Sequence, residues 1–120
     1  VVNVAGKGLV VITGCGHQGM AKLLTRVESI SPEPIYAVVG GLHMPITSRR
    51  RGLSLRRLLP WWDRPSRRDL AQAIAEIKAR EPKLVAPSPH DSCEFALASF
   101  REAFGPAYRT LEVGRSILLF

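Results

Sequence analysis

Short uninterrupted apolar runs alternate along the chain with segments in which apolar residues recur every three or four positions. The two periods predict two kinds of element. Val1 to Ala5 and Leu9 to Thr13 are apolar runs separated by Gly6-Lys7-Gly8, which predicts two strands joined as a hairpin. Leu9 to Thr13 has no polar alternation, as expected of a strand covered on both faces. Gly14-Cys15-Gly16-His17-Gln18-Gly19 is too rich in glycine to continue it. Met20, Leu23, Leu24, Val27 and Ile30 then predict a helix over 20–30. Ser31-Pro32-Glu33-Pro34 stops that helix, because proline can neither continue it nor donate a backbone hydrogen bond.

Ile35 to Val39 predicts a further buried strand that runs into Gly40-Gly41-Leu42-His43. Ser66-Arg67-Arg68-Asp69 has the form of a capping box, and Leu70, Ala73, Ile74 and Ile77 give the helix it starts an apolar face. Glu81-Pro82 ends that helix, and Lys83 to Ala86 reads as one more short strand, followed by Pro87-Ser88-Pro89-His90-Asp91-Ser92-Cys93. A helix over about Ser92 to Phe104 is expected to bury Phe95, Leu97, Ala98, Phe100 and Phe104, with Gly105-Pro106 as its stop. Tyr108 to Val113 and Ser116 to Phe120 are predicted as two closing strands. The order β-β-α-β-α-β-α-β-β implies an α/β fold with a mixed sheet flanked by helices. It forms one domain over 1–120, with an Arg/Trp-rich insertion at about 46–65.

Composition narrows the class. With 46% apolar and 22% charged residues over 120 positions, one globular domain with one core fits, and a disordered tail, a collagen repeat or a coiled coil does not. The longest stretches without charge, 8–21 and 34–48, are broken by glycines and fall short of the roughly 20 apolar residues of a membrane span. No membrane partner is expected. The opening residues read as a strand rather than a leader, and two distant cysteines, Cys15 and Cys93, make no disulfide framework. A reducing, cytoplasmic setting follows as the expectation. The net charge of +7 is local: residues 48–69 hold eight arginines and two aspartates, a net +6, which leaves +1 for the rest of the chain.

His17, His43 and His90 are the three histidines of the sequence, and each lies in the loop after a predicted buried strand. If those strands are parallel, the loops share one edge of the sheet, where α/β folds build their sites. Imidazole is the commonest metal-binding side chain, and three nitrogen donors with one open position is a usual catalytic zinc arrangement. A single histidine after a strand has a plainer use as a hydrogen-bonded turn residue; three at equivalent places favour metal binding or catalysis. Cys15 and Cys93 flank the site as further thiolate donors or as small buried residues. Asp91 has two readings, a carboxylate that orients His90 or binds metal itself, and an N-cap for the helix that follows.

Gly14-Cys15-Gly16-His17-Gln18-Gly19, Val39-Gly40-Gly41-Leu42-His43-Met44 and Ser88-Pro89-His90-Asp91-Ser92 occur in that order. Together they resemble the later motifs of metallo-β-lactamase-fold hydrolases, in the branch near the dihydropterin ribofuranosylaminobenzene phosphate synthases. The resemblance implies the C-terminal half of an αββα sandwich. It implies metal-ligand roles for His17 and His90, with His43 as a ligand or a substrate contact, around a divalent cation, zinc or else manganese or iron, that activates water. The family's histidine-x-histidine-x-aspartate-histidine cluster is absent from the sequence. The implied function is therefore the C-terminal portion of a metal-dependent hydrolase of an ester or phosphoester, incomplete alone, with a partner chain or self-association supplying the rest.

Arg49, Arg50, Arg51, Arg56, Arg57, Arg64, Arg67 and Arg68 surround Trp61-Trp62 directly after His43. Three readings stay open for them. Arg49, Arg50 and Arg51 could hold an anionic small-molecule substrate through guanidinium forks. The segment could bind nucleic acid by charge and stacking, or it could be a solvated loop whose tryptophans cover core. Beside the hydrolase stand two other functions: a non-catalytic, self-associating interaction module or remnant, and a nucleic-acid-binding module.

Overall fold

The computed structural model of the chain describes residues 1–46 and 65–119. The Arg/Trp-rich segment expected at about 46–65, with Arg49, Arg50 and Arg51, lies almost wholly outside the described residues. The elements are β1 (Val2–Val4), β2 (Gly8–Thr13), α1 (Met20–Ile30), β3 (Ile35–Gly40), α2 (Arg67–Lys78), β4 (Leu84–Pro87) and α3 (Glu94–Phe104), followed by a 3₁₀ turn over Gly105–Ala107. The sheet order is β1-β2-β3-β4. β1 pairs antiparallel with β2, as the Gly6-Lys7-Gly8 hairpin predicts, whereas β2, β3 and β4 are mutually parallel. The mixed α/β sheet flanked by helices is thus as expected from the sequence.

The helices start and stop for local reasons. Ser66 Oγ accepts from the Asp69 amide at 3.2 Å while Asp69 Oδ2 accepts from the Ser66 amide at 2.6 Å, which closes the predicted capping box. α1 spans the predicted residues and ends where Ser31 turns extended ahead of Pro32. Leu24 and Val27 of α1, Leu70, Ala73 and Ile77 of α2, and Ala96 and Phe100 of α3 meet Leu9, Val11, Val38 and Val85 in one core on one face of the sheet. Arg80 joins the far ends of the two crossover helices, bonding Glu28 at 2.9 Å and Glu76 at 2.6 Å. No helix among the described residues is long and apolar enough to cross a membrane.

The opposite face is thinner. Val10, Ala37, Leu84 and Ala86 form its buried centre, with Leu111, Ile117 and Leu119 from the end of the chain packed partly against it. The strands expected over Tyr108 to Val113 and Ser116 to Phe120 do not form within the described residues. Only Tyr108 bridges Val85, with the Arg109 amide donating to the Val85 carbonyl at 2.9 Å. The apolar residues that suggested strands are used to cover a sheet face rather than to extend its edge. Full coverage of β2 also fails at its last two positions, since Ile12 is 61% exposed and Thr13 half-buried.

α3 departs from the expected burial too. It begins at Glu94 rather than Ser92, and it buries Ala96 with Leu97 and Phe100. Phe95 stays 44% exposed and Ala98 is exposed. The Phe95 ring instead lies beneath the Arg67 guanidinium, 4.6 Å from it, so its π face serves a surface cation.

Candidate functional site

Parallel pairing of β2, β3 and β4 brings the loops after all three strands to one edge of the sheet. Backbone contacts bind them into a layer. The Ser88 amide donates to the Gly40 carbonyl at 2.8 Å, and the Cys93 amide to the Met44 carbonyl at 3.1 Å. Thr13 Oγ1 donates to the Gly41 carbonyl at 2.7 Å, closing the end of β2 onto the end of β3. Thr13 went unnoticed in the sequence; a hydroxyl residue as the last position of an apolar run before glycines was the available signal.

Glycine is required where these loops touch. A Cβ on Gly41 would strike the Gly14 carbonyl and sit 2.6 Å from Asp91 Oδ2, and one on Gly16 would sit 2.7 Å from the Gly41 carbonyl. This packing delivers His17 onto His43, with ring centroids 3.9 Å apart and planes tilted by 45°. Leu42 and Met44 are buried on either side of His43 and fix its backbone to the core. His43 itself adopts φ 49°, a left-handed conformation that is costly for a residue with a Cβ. Burial holds its imidazole below the ordinary pKa of 6.5, the His17 ring lowers it further, and Asp91 opposes both. The neutral imidazole with a lone pair is therefore its state at neutral pH.

Asp91 does not cap α3. The N-cap of α3 is Cys93, which makes no side-chain capping bond, and the Asp91 carboxylate turns to the β3 loop, where Oδ2 accepts from the His43 amide at 3.0 Å. Asp91 lies two residues before the N-cap position, and its carboxylate is used on the neighbouring loop instead. His90 lies on the same sheet edge, exposed at the tip of its loop, with its own amide donating to Ser88 Oγ at 3.3 Å. Cys15 is exposed rather than buried, and Cys93 is half-buried against the helical core.

The site is thus a contacting His17–His43 pair with His90 on the adjacent loop. Among the described residues no group of three or more His, Cys, Asp or Glu side chains could by itself hold a metal ion. The described residues do not complete a metal site. Next to the pair opens a cleft of about 760 Å³ between the start of α1 and α2, bounded by Met20 and Lys22 on one side and Asp69, Gln72 and Glu76 on the other. Its two carboxylates are already engaged. Asp69 is held below its usual range chiefly by the Ser66 hydroxyl, and Glu76 pairs with Arg80.

No family model and no curated protein matches the chain. Among solved structures, the chain is similar to a metal-dependent hydrolase of the β-lactamase superfamily, with a TM-score of 0.68 and 24% sequence identity. The match takes in 92% of this chain and 36% of that one. The order of strands and helices, the parallel edge that gathers the three histidine loops and this superposition agree: the chain has the metallo-β-lactamase fold, over a region corresponding to about a third of that hydrolase.

Proposed function

We propose that this chain is the portion of a metal-dependent hydrolase that supplies His17, His90 and His43 to a metal centre completed by donors from outside the described residues. The observation that carries the reading is the His17–His43 pair, held at the C-terminal edge of three parallel strands with a neutral imidazole at His43. Two imidazoles fill half of a tetrahedral coordination sphere, and His90 sits on the next loop. Zinc suits such nitrogen donors, with manganese or iron as alternatives. A centre of this kind supplies a water acidic enough to attack at neutral pH, the chemistry of ester and phosphoester hydrolysis. The motif order around His17, His43 and His90 supports the branch near the dihydropterin ribofuranosylaminobenzene phosphate synthases.

The cleft beside the pair is the place for a substrate, and its size is within the roughly 300–1,000 Å³ of small-molecule sites. Glu76 is neutralised by Arg80, and Lys22 on the cleft wall supports an anionic substrate. The missing donors come from a partner chain or from further polypeptide. Catalysis by residues 1–120 alone is therefore not expected.

Zinc titration of the purified chain, followed by calorimetry at neutral pH, tests the proposal. One weak equivalent is expected, with affinity reduced about tenfold or more in His17→Ala, His43→Ala and His90→Ala. Binding that survives all three substitutions, or none at millimolar zinc, would overturn it.

A further inference from the structure

We infer that Asp91 is the positioning residue of the histidine pair: its carboxylate, carried in on the β4–α3 loop, holds the His43 amide and thereby sets the left-handed turn that lays His43 against His17. The inference deepens the proposal above, and its consequence for metal capture rests on that proposal. The positioning itself does not.

Four observations lead to it. His43 is one of two non-glycine residues at positive φ among the described residues, so something must over-determine its backbone. Its amide is bonded by Asp91 Oδ2 at 3.0 Å, a charge-assisted contact spanning 48 residues of sequence. Gly41 has no Cβ where one would stand 2.6 Å from that same oxygen, so the glycine leaves room for the carboxylate. Among the described residues Asp91 has no competing role: Cys93 takes the N-cap of α3, and the other oxygen meets Ser92 Oγ at 3.5 Å.

A turn fixed at the amide of His43 fixes its Cα–Cβ direction, which points the side chain toward His17. Leu42 and Met44 hold the flanking backbone in the core, so the freedom left at this turn is the peptide orientation at His43, where the carboxylate acts. Only an acceptor of the right reach is needed. The uncharged amide of Asn can replace the carboxylate in that role, whereas it could not replace a charged metal ligand.

The test compares Asp91→Asn and Asp91→Ala with the unaltered chain by amide NMR and by titration with zinc alone. Asn is expected to keep the His43 amide protected from exchange, keep the through-space contact between the rings, and hold zinc affinity within about threefold. Ala is expected to lose that protection and contact and to weaken zinc by about tenfold or more, with core methyl signals unchanged. Two results would overturn the inference: an Ala variant whose His43 amide and ring contact match the unaltered chain, or an Asn variant that loses zinc as completely as Ala with its His43 amide intact. Should the Ala variant not fold, loss of His43 protection in the Asn variant overturns it and retention upholds it. If the unaltered chain takes up no zinc, the metal reading fails while the NMR comparison still decides the role of Asp91.

Discussion

His43 shows how much chemistry one backbone conformation can determine. Its φ of 49° turns the side chain out of the core between two buried neighbours and onto His17. The same burial that lowers its pKa makes protonation in the folded state unfavourable. The sign of the resulting pH effect is fixed. As pH falls through 6.5 the unfolded chain takes up a proton that folded His43 still resists, so stability is lost from that pH downward and the loss is complete below the folded pKa. Thermal midpoints measured across this range should fall for the unaltered chain and flatten in His43→Gln. A midpoint equally steep in both would show that another group titrates. Glu28 and Asp69, whose pKa values lie below 4.5 and 3.8, act in a separate and more acid window.

At the scale of elements, the start of α2 is the clearest case of sequence acting locally. Ser66, directly after Pro65, caps the helix. Ser66→Ala removes the acceptor for the Asp69 amide and should cost about 1 kcal/mol, read as a shift in urea midpoint at unchanged slope. Because Pro65, Ser66 and Asp69 also border the cleft, fraying there would loosen the wall opposite the histidine pair. The other junctions work differently. Gly16, Gly40 and Gly41 are needed because two loops meet backbone to backbone, and only long-range packing reveals that need.

The molecule as a whole has unequal faces. Three helices seal one side of the sheet, while the other side has a centre of only four buried residues and an irregular cover of Leu111, Ile117 and Leu119. A chain ending at Thr110 should therefore keep its helical circular dichroism, lose about 3 kcal/mol of stability and bind a dye for exposed apolar surface. Unchanged dye binding would mean that the end segment covers nothing that matters. The fold match, which takes in about a third of a larger chain, agrees with this asymmetry.

The sequence by itself determined what depends on neighbours a few residues apart. It gave α1 from its three-and-four spacing, α2 from its capping box, the hairpin from its glycines, and the placing of three histidines after three strands. It misjudged the closing strands because alternating apolar residues look the same whether they pair at an edge or lie across a face. It misjudged Phe95 because a cation from α2 could not be foreseen beside it. Only tertiary structure decided which histidines meet, and it did so through contacts 26 to 48 residues apart in the chain: Thr13 on Val39 and Gly41, Asp91 on His43. Local spacing can bring a side chain to the correct edge of a sheet. Whether its ring touches another depends on how closely the loops pack, and that is set by the three-dimensional fold.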